Sequence, residues 1–220
     1  MLQKLLLNLS KWKKWSPVPN LVLVHGAGGS SAGWNYVSQQ LPHELNVLKT
    51  DYNIDSQDPY DIIDNICEQI DSHFSGESVT YVGHSLGGVL GGWIASSGMI
   101  DVDHLITISA PWQGSPFARW LKFVFRNNKL FNHMNPGSDF LEYLHEKTFL
   151  RPHTNIITVG GGNEVAAWGK RDNDGTVTVE SQVAVPSGFT KSENEFINLS
   201  HTEILQCPKV CDIINQISVI

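Results

Sequence analysis

The chain has 220 residues and a net charge of −7, from 15 basic and 22 acidic side chains. That length suits one domain with a sizeable core, and 41% hydrophobic against 17% charged residues argues against a disordered chain. An acidic balance without a basic stripe implies no nucleic-acid partner.

Residues 1–43 carry Lys4, Lys11, Lys13 and Lys14 and no acid, whereas acids concentrate in 51–77. On a helical wheel Leu2, Leu5, Leu6, Leu9 and Trp12 share one side, with Lys4, Lys11 and Lys14 opposite. Lys13 interrupts the apolar face. Pro17 and Pro19 separate this basic amphipathic segment, 1–19, from a single domain at 20–220. The segment either docks on its own domain or makes peripheral membrane contact through residues 1–15. No run approaches the ~20 apolar residues of a spanning helix. The start lacks a long apolar stretch and a small-residue cleavage site, so cytoplasmic placement is expected. Three cysteines, Cys67, Cys207 and Cys211, make no disulfide framework; reduced thiols are expected, although Cys207 and Cys211 are near enough to bridge.

Beyond the prolines, strand and helix signals alternate. Residues 21–24 form a short apolar run, the mark of a strand buried on both faces. Residues 46–50 are a weaker second strand. Pro59–Phe74 has helical spacing in Ile62, Ile63, Ile66 and Ile70. The β-branched stretch 78–82 runs into Gly83, and Leu86–Ser97 reads as a helix in spite of four glycines. Helical glycine costs up to ~1 kcal/mol each, so close contact between this helix and the sheet is expected to compensate. Residues 104–109, 155–159 and 196–199 are further strands, and a last helix falls near 203–214. The alternation predicts an α/β fold, with a mostly parallel central sheet and helices on both faces. Residues 112–152 form a long aromatic-rich stretch expected to hold short helices, either as a lid or as a peripheral cap.

The pattern G-x-S-x-G occurs twice. In Gly83-His84-Ser85-Leu86-Gly87 a strand precedes the serine and a helix follows it, the arrangement that lifts a nucleophile above a sheet. In Gly29-Ser30-Ser31-Ala32-Gly33 loop residues precede the serine. Ser85 is therefore the candidate nucleophile. Side chains at Gly83 or Gly87 would collide with neighbouring chain in such a turn. A helix opening at Ser85 also aims its backbone N–H groups at developing negative charge.

With Gly83-His84-Ser85-Leu86-Gly87-Gly88, the loop Val24-His25-Gly26-Ala27-Gly28-Gly29 and the turn Asn173-Asp174-Gly175-Thr176-Val177, the chain resembles a compact lipase or esterase of the α/β-hydrolase superfamily. Ser109-Ala110-Pro111-Trp112-Gln113-Gly114-Ser115-Pro116 and Asn135-Pro136-Gly137-Ser138-Asp139-Phe140-Leu141 resemble further segments of those enzymes. The similarity runs from about Leu21 to Leu205. It implies the chain order serine, acid, histidine. His201, after the final strand, is then the base among nine histidines. Asp174 is the acid, with Asp172 as runner-up and Glu164 and Glu180 also eligible. The resemblance gives the oxyanion N–H groups to Ala27 and Leu86. The glycine loop could instead cradle phosphate, but it lacks the Lys-Ser/Thr ending and the G-x-G-x-x-G spacing of phosphate loops.

The chemistry so implied is cleavage of a small-molecule or lipid ester, with no metal or organic cofactor. Trp112, Phe117 and Trp120, with Phe123 and Phe125, are candidates to line an acyl pocket, although aromatics at such spacing are more often core. The same residues would also serve a thioesterase, an amidase, a phospholipase or an acyltransferase. A non-catalytic ligand- or partner-binding protein of this fold would normally lack one of the three groups.

Overall fold

Strand β1 (Asn20–Val24) is buried along its whole length, as an apolar run without polar alternation requires when both faces of a sheet are covered. The structure is a computed structural model that describes residues 18–54, 58–115, 129–161 and 172–218. The N-terminal amphipathic segment, apart from Val18 and Pro19, lies outside those residues.

β1 is flanked by β2 (Asn46–Lys49) and β3 (Val79–His84); beyond β3 follow β4 (Val102–Ile108), β6 (His153–Thr158) and β8 (Ser192–Ile197). Every pairing in this six-stranded sheet is parallel. Two short strands, β5 (Thr148–Phe149) and β7 (Gly188–Phe189), pair separately.

The alternation of side chains along each strand divides the core in two. Val22, Tyr81 and Leu105 face helices α2 (Pro59–Phe74) and α3 (Leu86–Ser97), where Ile62, Ile66, Val89 and Leu90 meet them. Leu23, Val82 and Ile106 face the opposite way. There they meet Val37 of α1 (Asn35–Gln40) and Val210 and Ile214 of α7 (Pro208–Ser218). Helix α2 starts where its sequence demands: Asp58 caps it by accepting from the Tyr60 N–H at 3.1 Å, and Pro59 occupies the first turn.

The glycines of α3 let it lie close on the sheet. A Cβ at Gly91 would strike the Tyr81 ring, and one at Gly92 would stand 2.7 Å from the Trp112 ring. Residues 129–152 supply α4 (Lys129–His133), α5 (Asp139–His145) and β5. A further helix, α6 (Val179–Val183), follows the Asp174 turn.

Two expectations need correction. The last strand begins at Ser192 rather than at 196, because β8 is an edge strand whose Glu193, Asn194 and Glu195 are exposed. A polar edge carries no apolar run to announce it. The final helix is two elements, a 3-10 turn at Glu203–Gln206 and then α7, which restarts at Pro208. Cys207 and Cys211 are not bridged, and Cys67 is also free.

Candidate active site

The turn from β3 into α3 holds Ser85 at φ 53°, ψ −121°, a conformation that costs a non-glycine residue on the order of 1–3 kcal/mol. Its surroundings hold it there. The Ser85 N–H donates to the Ile108 carbonyl at 2.8 Å, and the Gly88 N–H donates to the Ser85 carbonyl at 3.0 Å. A side chain on Gly83 would run into the Gly87 backbone, and one on Gly87 would stand 2.5 Å from the Val24 carbonyl. Both glycines are steric requirements of the turn.

The Ser85 hydroxyl meets His201 Nε2 at 2.9 Å, and His201 Nδ1 meets Asp174 Oδ2 at 2.7 Å. Three groups 116 and 27 residues apart in sequence thus form one hydrogen-bonded line. Asp174 is fully buried and His201 nearly so. The Asp174 turn is pinned at several points. Gly175, at φ 96°, donates to the Asn173 side chain at 2.8 Å, the Asp174 N–H donates to the Val177 carbonyl, and the His201 N–H donates to the Asp174 carbonyl at 2.9 Å.

Five donors converge on the Asp174 carboxylate. The N–H groups of Thr176 and Val177 reach Oδ1 at 2.9 and 2.7 Å. His201, the Thr158 hydroxyl at 2.6 Å and the Gln182 amide at 3.1 Å reach Oδ2. Burial pushes this carboxyl upward, but the hydrogen bond and charge of His201, with the donors from Thr158 and Val177, outweigh it and hold the group below the usual carboxylate range. The line therefore carries a carboxylate at one end and a serine hydroxyl at the other.

The glycine loop after β1 lies against the serine, since a Cβ on Gly26 would come within 2.9 Å of the Ser85 Cβ. His25 anchors that loop. Its Nδ1 donates to the Gly26 carbonyl at 2.8 Å, its Nε2 accepts from the Tyr52 N–H at 3.3 Å, and its ring stacks on Tyr52 at 4.1 Å. Ala27, Leu86, Ser85 and His201 all border one cavity of about 410 Å³, a size suited to a small-molecule ligand. Its apolar wall comes from Trp34, Leu130, Phe131, Met134, Val177 and Leu205.

Of the residues singled out from sequence, Ser85, Asp174, His201, Ala27 and Leu86 fall together. Trp112 does not join them. It is fully buried against Gly92, His153 and Phe189, with its indole N–H on Asn155 Oδ1 at 3.4 Å, and is absent from the cavity wall. Gly92 of α3 leaves the room that this ring fills in the core. Phe117, Trp120, Phe123, Phe125 and Glu164 lie outside the described residues. Asp172 and Glu180 are exposed, and Glu180 borders a separate groove. Ser31 opens a 3-10 turn, with its N–H on Asp51. Among the described residues no cluster of three or more His, Cys, Asp or Glu side chains could hold a metal, and no helix is long and apolar enough to cross a membrane.

Sequence reasoning missed His84, Thr158 and Gln182, all buried around the line. His84 stands at a variable position of the G-x-S-x-G pattern, which assigns it no role. Thr158 closes an otherwise ordinary β-branched strand, and Gln182 sits in a short polar helix; neither carries a local pattern that marks it.

A family model described as alpha/beta hydrolase family matches residues 21–186. Comparison with curated protein sequences finds no match. Among solved structures, the mature Bacillus licheniformis lipase BlEst2 superposes with a TM-score of 0.69 at 20% identity, covering 91% of this chain and 92% of that one. A lipase-esterase related protein from Clostridium acetobutylicum gives 0.62 at 15% identity, over 91% and 95%. The RedJ thioesterase of the Streptomyces coelicolor prodiginine pathway gives 0.60 at 13% identity, over 93% and 91%. At such identities these likenesses speak for the fold. The parallel sheet, the strained turn after its third strand and the match over 21–186 agree: the chain belongs to the alpha/beta hydrolase family.

Proposed function

We propose that the protein is a serine hydrolase that cleaves carboxylic esters with hydrophobic acyl groups. The observation that carries this reading is the hydrogen-bonded line from Asp174 through His201 to Ser85, ending at a cavity with an apolar wall.

A serine hydroxyl is a weak nucleophile until a base takes its proton. His201 Nε2 receives the Ser85 proton as Oγ attacks the carbonyl carbon, and Asp174 holds the imidazole in the required tautomer and stabilises its charged form. The N–H groups of Ala27 and Leu86 receive the developing oxyanion, Leu86 at the positive end of α3. His201 then gives its proton to the departing alcohol oxygen. Water, deprotonated by His201, attacks the acyl-enzyme and restores Ser85. The chain needs no metal or organic cofactor for these steps.

Leu130, Phe131 and Met134, from the 112–152 stretch, supply the wall that favours an apolar acyl group. The same catalytic groups would open a thioester, so the discriminating assay compares matched oxygen and thiol esters. Wild type and Ser85→Ala are assayed on p-nitrophenyl esters from acetate to palmitate and on the corresponding acyl thioesters. Turnover of the oxygen esters by wild type alone supports the ester reading. Preference for thioesters moves the assignment to a thioesterase, and equal turnover in Ser85→Ala removes Ser85 from the chemistry.

A further inference from the structure

We propose that Gln182 is a positioning residue for the reaction: its side-chain amide takes the place of a missing strand at the end of β6 and from there directs a donor onto the Asp174 carboxylate. The proposal rests on the serine-hydrolase reading above.

The pairing of β4 with β6 ends at Ile108 and Ile156, because the chain turns away at Ser109, where φ is 54°. Thr158, two residues further along β6, therefore has no strand neighbour on that side among the described residues. Gln182 fills the position. Its Oε1 accepts from the Thr158 N–H at 2.8 Å, and its Nε2 donates to the Thr158 carbonyl at 3.1 Å. This is the donor–acceptor pair that an adjoining strand would present. The amide is fully buried. With both Thr158 groups engaged, its orientation is set, and Nε2 also points at Asp174 Oδ2 at 3.1 Å. The Thr158 hydroxyl reaches the same oxygen, while the Ser109 hydroxyl meets the Thr158 hydroxyl at 2.8 Å. The backbone of Gln182 is held as well, since its carbonyl accepts from Asn155 Nδ2 at 2.9 Å.

One amide thus couples the end of a central strand to the acid. A hydrophobic residue could fill the volume but would leave the Thr158 N–H and carbonyl unpaired and remove a donor from Oδ2. A glutamate keeps the shape and inverts the chemistry. Protonated, the introduced carboxyl can still donate to Asp174 Oδ2 and accept from the Thr158 N–H. Ionised, it sets a second carboxylate against Asp174 and against the Thr158 carbonyl. The titratable groups facing this point are Asp174 on its turn, His201 after β8 and, behind His201, His84 at the end of β3; Glu180 of α6 and Asp172 are exposed. Burial and the neighbouring carboxylate both push the glutamate's ionisation above its ordinary value of ~4.3.

The test uses the full chain, with kcat and KM for a short-chain p-nitrophenyl ester measured from about pH 5 to about pH 9. Wild type, Gln182→Glu, Gln182→Leu and Thr158→Val are compared, with melting temperatures recorded alongside. The kcat of Gln182→Glu divided by that of wild type is expected to fall about tenfold as pH rises and the introduced carboxyl ionises. Gln182→Leu is expected to lose kcat by about tenfold to a hundredfold at every pH with KM little changed, the scale found when partners that orient metal ligands are removed. Thr158→Val, which spares the backbone pairing, is expected to lose kcat in the same way but less. A flat ratio for Gln182→Glu, or a Gln182→Leu variant with kcat within about twofold of wild type, overturns the role of Gln182. If Gln182→Glu does not fold, Gln182→Leu decides by the same criterion of about twofold. A wild type that turns over no ester and takes no fluorophosphonate on Ser85 overturns the hydrolase reading and this role together.

Discussion

His84 donates its Nε2–H to the backbone carbonyl of His201 across 2.8 Å, so the residue before the candidate nucleophile holds the loop that carries the candidate base. The two rings lie 4.8 Å apart. Burial, with a smaller contribution from His201, drives the ionisation of His84 down to about 3, which keeps the imidazole neutral. His84→Leu leaves the His201 carbonyl buried and unpaired, at a cost of about 1–3 kcal/mol. A lower melting temperature and a several-fold drop in kcat are expected, with His84→Gln, which can still donate, recovering part of both. Wild-type kcat in His84→Leu would show that the loop needs no such tether.

Acid should weaken the fold before it reaches the surface carboxylates. His84 and His153 are both held at about 3, chiefly by burial, against an ordinary value of 6.5. The unfolded chain takes up these protons near 6.5 and the folded chain only near 3, so stability falls as pH drops through that interval. Asp174, whose folded carboxyl is held low, adds to the loss at the bottom of the same window. Melting temperatures recorded across it should decline steadily. A variant at His153, such as His153→Gln, should be less stable at neutral pH but show a shallower decline. A curve with no slope between about pH 6 and pH 4 would contradict this assignment.

Gly91→Ala tests whether α3 must lie against the sheet. In an exposed helix the change would gain up to ~1 kcal/mol. Here the new methyl meets the Tyr81 ring, which is fully buried with its hydroxyl on the Gly87 carbonyl at 3.0 Å. Net destabilisation of about 1–3 kcal/mol is expected. Gly33→Ala, where nothing lies within 4 Å of the new methyl, serves as the control and should be nearly neutral in urea melts. Equal effects at the two sites would argue against close packing.

The same packing shows how far the sequence could be read. The central strands were legible where burial on both faces leaves a short apolar run, as at residues 21–24, whereas the polar starts of β4 and β6, at Asp103-His104 and His153-Thr154, left no such trace. The glycines of α3 were legible as a cost in need of a reason, and the Tyr81 and Trp112 rings supply it. Ser85 could be separated from Ser31 because strand, turn and helix leave a local trace. Asp174 and His201 were reached through the resemblance, by their turn and by chain order. Trp112 was misplaced because an aromatic beside a strand looks the same whether it faces a cavity or the gap left by a glycine, here Gly92. Gln182 and Thr158 were invisible for a different reason. Their partners lie 8 to 24 residues away, and the need they meet, a strand that stops short, exists only once the sheet has formed.

Met134 is expected to set acyl length. It is 5% exposed and borders the cavity beside Leu130 and Phe131, with its carbonyl held by the Ser115 N–H at 3.2 Å. Met134→Trp fills part of the 410 Å³ space. The ratio of kcat/KM for p-nitrophenyl octanoate over acetate should fall by about tenfold or more, since each buried methylene excluded forfeits about 0.8 kcal/mol. An unchanged ratio would place the acyl group elsewhere.

The central claim is that Ser85 is a nucleophile activated by His201 and Asp174, and fluorophosphonate labelling with peptide mapping tests it most directly. The account predicts one adduct per chain on Ser85 in wild type and none in Ser85→Ala. In Asp174→Asn labelling should be slower by about 10³–10⁴-fold, the scale of losing the orienting carboxylate. Labelling at another residue, or at the same rate in Ser85→Ala, would contradict it.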